Sequence, residues 1–154
     1  MQKTLRVESS AFTDGSPIPA KYTAKGDDVS PPLSWAGVHA TIACFALVMD
    51  DPHAAGAPYI HWLAWNLTGT KLPENVSKEG EPATGGVQGT NSAKKVGYVG
   101  PAPPSGTRAY RFRVYALDAC LDLGPDTDAA RLYHAMQGHV VCYGELSGTC
   151  TADA

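Results

Sequence analysis

The chain has 154 residues, a net charge of −3, and 44% apolar but only 18% charged residues. This length fits one domain with its own core, so we expect a single domain over residues 1–154. The absence of a lysine- or arginine-rich run argues against a nucleic-acid-binding surface.

The N-terminal half predicts strands joined by long turns. Residues 5–12, LRVESSAF, alternate as a first strand and lack the apolar segment of a signal peptide. Residues 14–35 contain four prolines and two glycines, which predicts an extended loop. Residues 40–50, ATIACFALVMD, form an apolar run of buried-strand length, and the aromatic residues 59–67, YIHWLAWNL, predict the next strand. No run approaches the roughly 18 apolar residues of a membrane span, so we expect a cytoplasmic protein.

The C-terminal half predicts two further strands and one helix. Residues 69–107 form a long connection rich in glycine and proline, and such connections are often functional. Strict alternation in residues 109–118, AYRFRVYALD, predicts a strand. Residues 126–138, DTDAARLYHAMQG, predict a helix that is capped by Asp126 or Thr127 and ends at Gly138. Residues 139–146 then alternate as a closing strand. Many strands and one late helix favour a β-sandwich with a packed helix.

The four cysteines do not follow a metal-binding pattern. Cys44, Cys120, Cys142 and Cys150 contain no C-x-x-C pair, and their spacing matches no zinc motif. Without an export signal, reduced and buried thiols are the favoured interpretation. A Cys142–Cys150 disulfide is the alternative.

Two acids and two histidines lie within residues 49–62, MDDPHAAGAPYIHW. Asp51 ends one predicted strand and His61 lies on the next, so they are expected to face each other across the connection. Asp51 before proline is also typical of a turn, and His61 is typical of a strand histidine bonded to a carbonyl. Asp51, His53 and His61 could instead be three metal ligands, although their spacing is not that of a helix face.

A glycine- and proline-rich loop precedes the alternating strand. Residues 97–112, GYVGPAPPSGTRAYRF, expose main-chain N–H groups that can hold an anion. Arg108 adds a permanent charge that suits phosphate or carboxylate, and Tyr98 and Tyr110 add hydroxyl donors. The alternative is a structured hairpin loop without a ligand.

The two segments together resemble the phosphatidylethanolamine-binding protein (PEBP) family, in its bacterial and archaeal, Raf kinase inhibitor-like branch. The first family pattern is D-P-D-A-P followed by H-W, and this chain has DDPHAAGAPYIHWLAWNL. The second is G-Y-x-G-P-x-P-P-x-G-x-H-R-Y-x-F, and this chain has GYVGPAPPSGTRAYRF. Flanking segments agree as well, including residues 21–35 and 132–149. The resemblance covers nearly the whole chain.

The resemblance implies a mainly β fold, a PEBP-like antiparallel β-sandwich with a C-terminal helix and short peripheral helices. It implies a small pocket for anions such as phosphate or a phospholipid head group, and no catalysis. We expect no cofactor and no metal. It also implies a homodimer that modulates a kinase or protease. The predicted ligand-binding residues are Asp51, His53, His61, Gly100, Pro101, Arg108 and Tyr110.

The chain departs from the family pattern at four positions of the two motifs. It also departs in residues 90–98, TNSAKKVGY, which lack the Asp, aromatic residue and Gly of the usual N-D-F-G. His53 replaces an aspartate and Ala55 a proline, while Arg108 replaces a histidine and Ala109 an arginine. The changes at 53 and 108 remove a negative charge and add a permanent positive one. We therefore expect a pocket that binds small anions at least as well as that of a typical member.

Two other functions fit the same residues. A metal-dependent or acid/base hydrolase would use Asp51, His53 and His61. An interaction protein would keep the fold with a vestigial pocket and bind its partners through the sheet faces.

Overall fold

A computed structural model describes residues 2–38, 40–54 and 57–152. Its eight strands form two antiparallel sheets, as the sequence and the family resemblance predict. The smaller sheet has the order β1-β2-β5, and the larger has the order β6-β4-β3-β7-β8. The strands are β1 (Arg6–Glu8), β2 (Leu33–Ala36), β3 (Cys44–Asp51), β4 (Tyr59–Leu67), β5 (Lys71–Leu72), β6 (Val87–Gln88), β7 (Thr107–Leu117) and β8 (Val140–Thr151).

The main core lies between the two sheets. Val7, Leu33 and Trp35 of the smaller sheet pack against one face of β3, β4 and β7. Strand β3 is buried along its whole length, as its continuous apolar run predicts. Strand β7 alternates as predicted, with Tyr110 and Phe112 facing this core.

A helix covers the opposite face of the larger sheet. Helix α1 (Ala129–Met136) buries Leu132 and Met136 against a second apolar cluster that includes Val48 and Trp65. The predicted helix is confirmed, but its N-cap is Asp128, whose side chain accepts a hydrogen bond from the Arg131 N–H at 3.0 Å. The other helical element among the described residues is a 3-10 turn, Ala20–Tyr22.

Strand β4 does not alternate strictly, because its pairing with β3 contains two irregularities. Met49 pairs with Trp62 but Asp50 pairs with Ile60, so His61 is an extra residue in β4. A second shift lies near Asn66, which has a φ of 57°. Strict alternation in residues 59–67 predicts that Tyr59, His61, Leu63, Trp65 and Leu67 share one face. Leu63 and Trp65 instead lie in the apolar cluster under α1 and Leu67 lies in the inter-sheet core, so this assignment is wrong. The same bulge places His61 beside the inter-sheet core, next to Tyr110.

The cysteines differ from the prediction of reduced thiols. Cys44, at the start of β3, forms a disulfide with Cys120, which follows β7, across a sequence separation of 76 residues. Cys142 and Cys150 are not joined to each other and are present as thiols. The two bonded cysteines meet because Cys44 and Leu117 are paired in adjacent strands. This pairing depends on the sheet register, which the cysteine spacing alone does not reveal.

Candidate functional site

A cleft of about 470 Å³ lies at one end of the sandwich. Strand β3 runs antiparallel to β4 and β7, so its end at Asp51 adjoins the start of both neighbours. This arrangement brings Asp51 to His61 on β4 and to Arg108 and Tyr110 on β7. The glycine- and proline-rich loop closes one side of the cleft through Gly100 and residues 102–104.

Asp51 and Arg108 form an ion pair within the cleft. Arg108 Nη1 donates to Asp51 Oδ2 at 2.8 Å, and Asp51 Oδ1 accepts the main-chain N–H of His53 at 3.0 Å. The Asp51 side chain is buried, whereas that of Arg108 is 28% exposed. Solvent around Arg108 therefore weakens the attraction between the two charges. The buried Asp51 carboxylate nevertheless depends on Arg108 to compensate its charge.

His61 is held in one orientation by the main chain. Its Nδ1 lies 2.8 Å from the carbonyl oxygen of Val99, and a carbonyl oxygen accepts only, so Nδ1 carries the hydrogen. In the neutral ring, Nε2 then has a free lone pair. Burial lowers the pKa of His61, and the opposing effects of the Val99 carbonyl and Asp51 are smaller. The ring is consequently neutral near pH 7 and can become a second donor only by taking up a proton.

Two tyrosines flank the His61 ring. Tyr110 contacts it edge-on at a centroid distance of 5.2 Å, and Tyr59 contacts it at 4.9 Å. Burial, with a smaller effect of Asp51, raises the pKa of Tyr110 to about 12, so its hydroxyl stays protonated at neutral pH. Tyr59 is 36% exposed and forms part of the rim. Tyr59 was not among the residues predicted from the sequence, although it lies within the first family pattern.

Gly100 forms a wall of the cleft through close packing. Its main-chain N–H donates to Asp28 Oδ1 at 2.6 Å, so this N–H is already satisfied within the protein. A Cβ atom at Gly100 would lie 2.6–2.7 Å from main-chain atoms of Tyr22, Thr23 and Ala24. Glycine is therefore needed here for the approach of another loop rather than for contact with a ligand.

Other residues of the loop also have structural roles. Pro101 is buried, does not line this cleft, and accepts the Ala24 N–H at 3.0 Å through its carbonyl. The Tyr98 hydroxyl, predicted as a ligand donor, instead donates to the Tyr22 carbonyl in the core at 2.7 Å. Asn91 holds the start of the loop by donating to the Gly97 carbonyl.

The structure thus brings together most, but not all, of the predicted site residues. Those that line the cleft are Asp51, His61, Gly100, Arg108 and Tyr110. The exposed His53 side chain does not, and only its main chain supports Asp51. The departure at Ala55 lies outside the described residues. Ala24, Pro103 and Pro104 also line the cleft but were not selected from the sequence, because the resemblance assigns them no role.

No group of three or more histidine, cysteine, aspartate or glutamate side chains is arranged to hold a metal in the described part of the chain. In particular, His53 does not join Asp51 and His61 in the cleft. No helix within the same ranges is long and apolar enough to cross a membrane.

Known proteins resemble this chain in both sequence and fold. The model of the phosphatidylethanolamine-binding protein family matches residues 8–151. The chain belongs to this family. Within it, a UPF0098 protein of Methanothermobacter thermautotrophicus is 42% identical over 146 residues, which cover 94% of this chain and 97% of that protein.

Two solved structures of family members share the fold. The crystal structure of the PEBP homologue CT736 from Chlamydia trachomatis has a TM-score of 0.88 and 33% sequence identity, and the match covers 99% of this chain and 100% of that one. Escherichia coli YbcL has a TM-score of 0.90 and 26% identity, with 97% and 99% covered. The predicted family and fold class are confirmed.

Proposed function

We propose that this protein binds small anions and phosphorylated head groups without catalysing a reaction on them. The observation that carries the proposal is that Arg108, a permanent cation, and the buried His61 line the same cleft. The volume of about 470 Å³ lies within the range of small-ligand sites. Phosphoethanolamine, the head group in the name of the family, is the leading candidate.

Arg108 can serve an anion while it remains near Asp51. A guanidinium group has five N–H donors, and the hydrogen bond to Asp51 uses one of them. Each charge-assisted hydrogen bond to phosphate contributes about 1.5–3 kcal/mol. Protonated His61 would add a donor at Nε2, and the Tyr110 hydroxyl would add another.

The same geometry does not favour hydrolysis. Asp51 is held by Arg108, and His61 is oriented by the Val99 carbonyl rather than by a carboxylate. The described residues that line the cleft include no serine, threonine or cysteine that His61 could activate. No observation favours the hydrolase alternative.

The proposal also covers the protein partner, the oligomeric state and the location of the chain. We propose that anion binding modulates a protein partner, with a kinase or protease as the class that the family resemblance suggests, and that the chain acts as a homodimer. A cytoplasmic location remains a prediction. The Cys44–Cys120 disulfide weighs against it, because such bonds persist mainly in oxidising compartments.

Titration calorimetry with inorganic phosphate and with phosphoethanolamine at pH 7 tests the binding proposal. We expect saturable binding of one ligand per chain, weakened about tenfold or more in Arg108→Gln. The matched control is Arg6→Gln, because Arg6 is a 74%-exposed arginine paired with Glu8 far from the cleft. Absence of binding to the wild type, or equal loss in both variants, would contradict the proposal. The vestigial-pocket alternative predicts the first of these results.

A further inference from the structure

A second cleft lies on the opposite face of the larger sheet. It has a volume of about 900 Å³ and runs between α1 and the sheet. Its walls are mainly apolar and are formed by Pro58, Ile60, Ala129, Ala130, Met136 and Val140, together with the rings of Tyr115 and Tyr133. We call it the helix groove. Residues of the first cleft do not line it.

The floor of the helix groove carries buried charge. Asp50 is 1% exposed and receives both Nε (3.0 Å) and Nη2 (2.9 Å) of Arg111. Arg113 Nη2 lies 3.5 Å from the same carboxylate and donates to the Tyr133 hydroxyl at 3.1 Å. One carboxylate thus faces two permanent cations, which leaves a net charge of about +1 at the floor.

Neighbouring charges do not cancel this excess. Glu145 is paired with Arg113 across β7 and β8 and also attracts Arg111, but its carboxylate lies 3.5 Å from Lys3 Nζ, which brings a compensating positive charge. That pair is neutral as a whole. In addition, Arg113 Nε is buried and has no hydrogen-bond partner among the described residues. Because this Nε is itself buried, a ligand in the groove would contact the partly exposed remainder of the Arg113 guanidinium group and not Nε.

We infer that the helix groove binds a monoanionic amphiphile, a carboxylate with an aliphatic chain. The carboxylate would contact Arg111 and Arg113 on the floor, and the chain would lie along Ile60, Tyr133 and Met136. The single excess charge favours a monoanion over a dianion such as phosphate. This inference does not depend on the proposed function, because the two clefts occupy opposite faces of the sheet.

Decanoate, titrated below its micelle concentration, is the probe for this inference. We expect saturable binding by the wild type, with weaker binding of hexanoate, which buries less apolar surface, and no saturable binding of decylammonium. Equal binding of decanoate and decylammonium would show that the charge is irrelevant and overturn the inference. Absence of decanoate binding would also overturn the inference. A groove that is occupied by a second copy of the chain instead of a ligand would give this result.

Two variants locate the site on the molecule. Ala130→Phe fills the groove from the exposed side of α1, and Arg113→Gln removes one cation while Arg111 still compensates Asp50. Each should weaken decanoate binding about tenfold or more. Arg131→Phe and Arg131→Gln are the matched controls, because Arg131 is exposed on α1 and does not line the groove.

Urea denaturation of each variant would show that the fold is intact. Arg108→Gln should leave decanoate binding unchanged, because Arg108 lines the first cleft, which we call the anion cleft, and not the helix groove. This result separates the test of the helix groove from that of the anion cleft. Loss of decanoate binding in Arg108→Gln, or in the Arg131 controls, would place the ligand elsewhere and overturn the inference.

Discussion

Arg108 Nη1 lies 2.8 Å from Asp51 Oδ2, so the cation of the anion cleft is already engaged by a carboxylate of the same cleft. An incoming anion must share this guanidinium group with Asp51 and must approach the negative charge of Asp51. The affinity for anions is therefore set by the balance between these two residues, and not by Arg108 alone.

Removing the charge of Asp51 should strengthen anion binding. In Asp51→Asn the guanidinium group of Arg108 is released and a nearby negative charge is lost, so we expect sulfate to bind about tenfold more tightly. Calorimetry with sulfate measures this directly. The matched control is Asp122→Asn, an exposed aspartate that does not line the cleft. Weaker sulfate binding in Asp51→Asn would mean that Asp51 serves mainly to position Arg108.

The same substitution should reduce the stability of the fold. Loss of a buried charge partner is destabilising, but Arg108 is partly exposed and can be solvated, so we expect a loss of about 1–2 kcal/mol. Urea denaturation measures the free energy of unfolding. An unchanged free energy would indicate that the pair contributes nothing net.

Sulfate binding should strengthen as the pH falls. Burial lowers the pKa of His61 in the free protein, whereas a bound anion favours the protonated ring and raises this pKa. Binding therefore takes up a proton in the pH range between the two pKa values, and the affinity should rise by up to about tenfold per pH unit of decrease there. Sulfate is the suitable ligand because it does not itself titrate between pH 5 and pH 8.

Calorimetry between pH 5.5 and pH 8, in buffers of different ionisation enthalpy, detects this uptake. The dependence should disappear in His61→Gln and persist in His134→Gln, since His134 is exposed on α1. A pH dependence that survives His61→Gln would assign the proton to another group.

The sequence predicts those parts of the structure that depend on local patterns. Alternation was sufficient to predict β7, a continuous apolar run to predict β3, and an apolar face to predict α1. The two faces of β4 could not be predicted in this way, because the extra residue His61 is visible only in its pairing with β3. The helix cap was missed because Asp126, Thr127 and Asp128 are all competent caps and only the backbone conformation selects one.

The site was predicted in its residues but not in its contacts. Asp51 and Arg108 were both selected, yet their ion pair depends on the β3–β7 register. Gly100 was expected to expose its N–H to a ligand, but Asp28, far away in sequence, accepts that hydrogen bond. The Cys44–Cys120 bond likewise follows from register and not from spacing.

The disulfide should contribute measurably to stability. Closing a loop across 76 residues restricts the unfolded chain, and disulfides typically contribute about 2–4 kcal/mol. Reduction should lower the urea midpoint of the wild type and leave that of a Cys44→Ala, Cys120→Ala double variant unchanged. A thiol assay on the unfolded, unreduced protein should find two thiols rather than four. Four thiols would contradict the bond.

Gly100→Ala should damage both the fold and the cleft. The new Cβ would meet main-chain atoms of residues 22–24 at 2.6–2.7 Å, so one loop must move. We expect a loss of about 1–3 kcal/mol and weaker phosphate binding. The control is Gly69→Ala, because a Cβ at Gly69 meets no atom within 4 Å. Equal stability of the two variants would show that the loop approach at Gly100 is not required.

The central claim is that Arg108 and His61 hold an anion between them. A crystal structure of the protein grown with phosphoethanolamine near pH 6 tests it most directly. The account predicts electron density for the phosphate within hydrogen-bond distance of the Arg108 guanidinium group and of His61 Nε2. A cleft without density for the ligand at saturating concentration, with Arg108 still bonded to Asp51 alone, would contradict it.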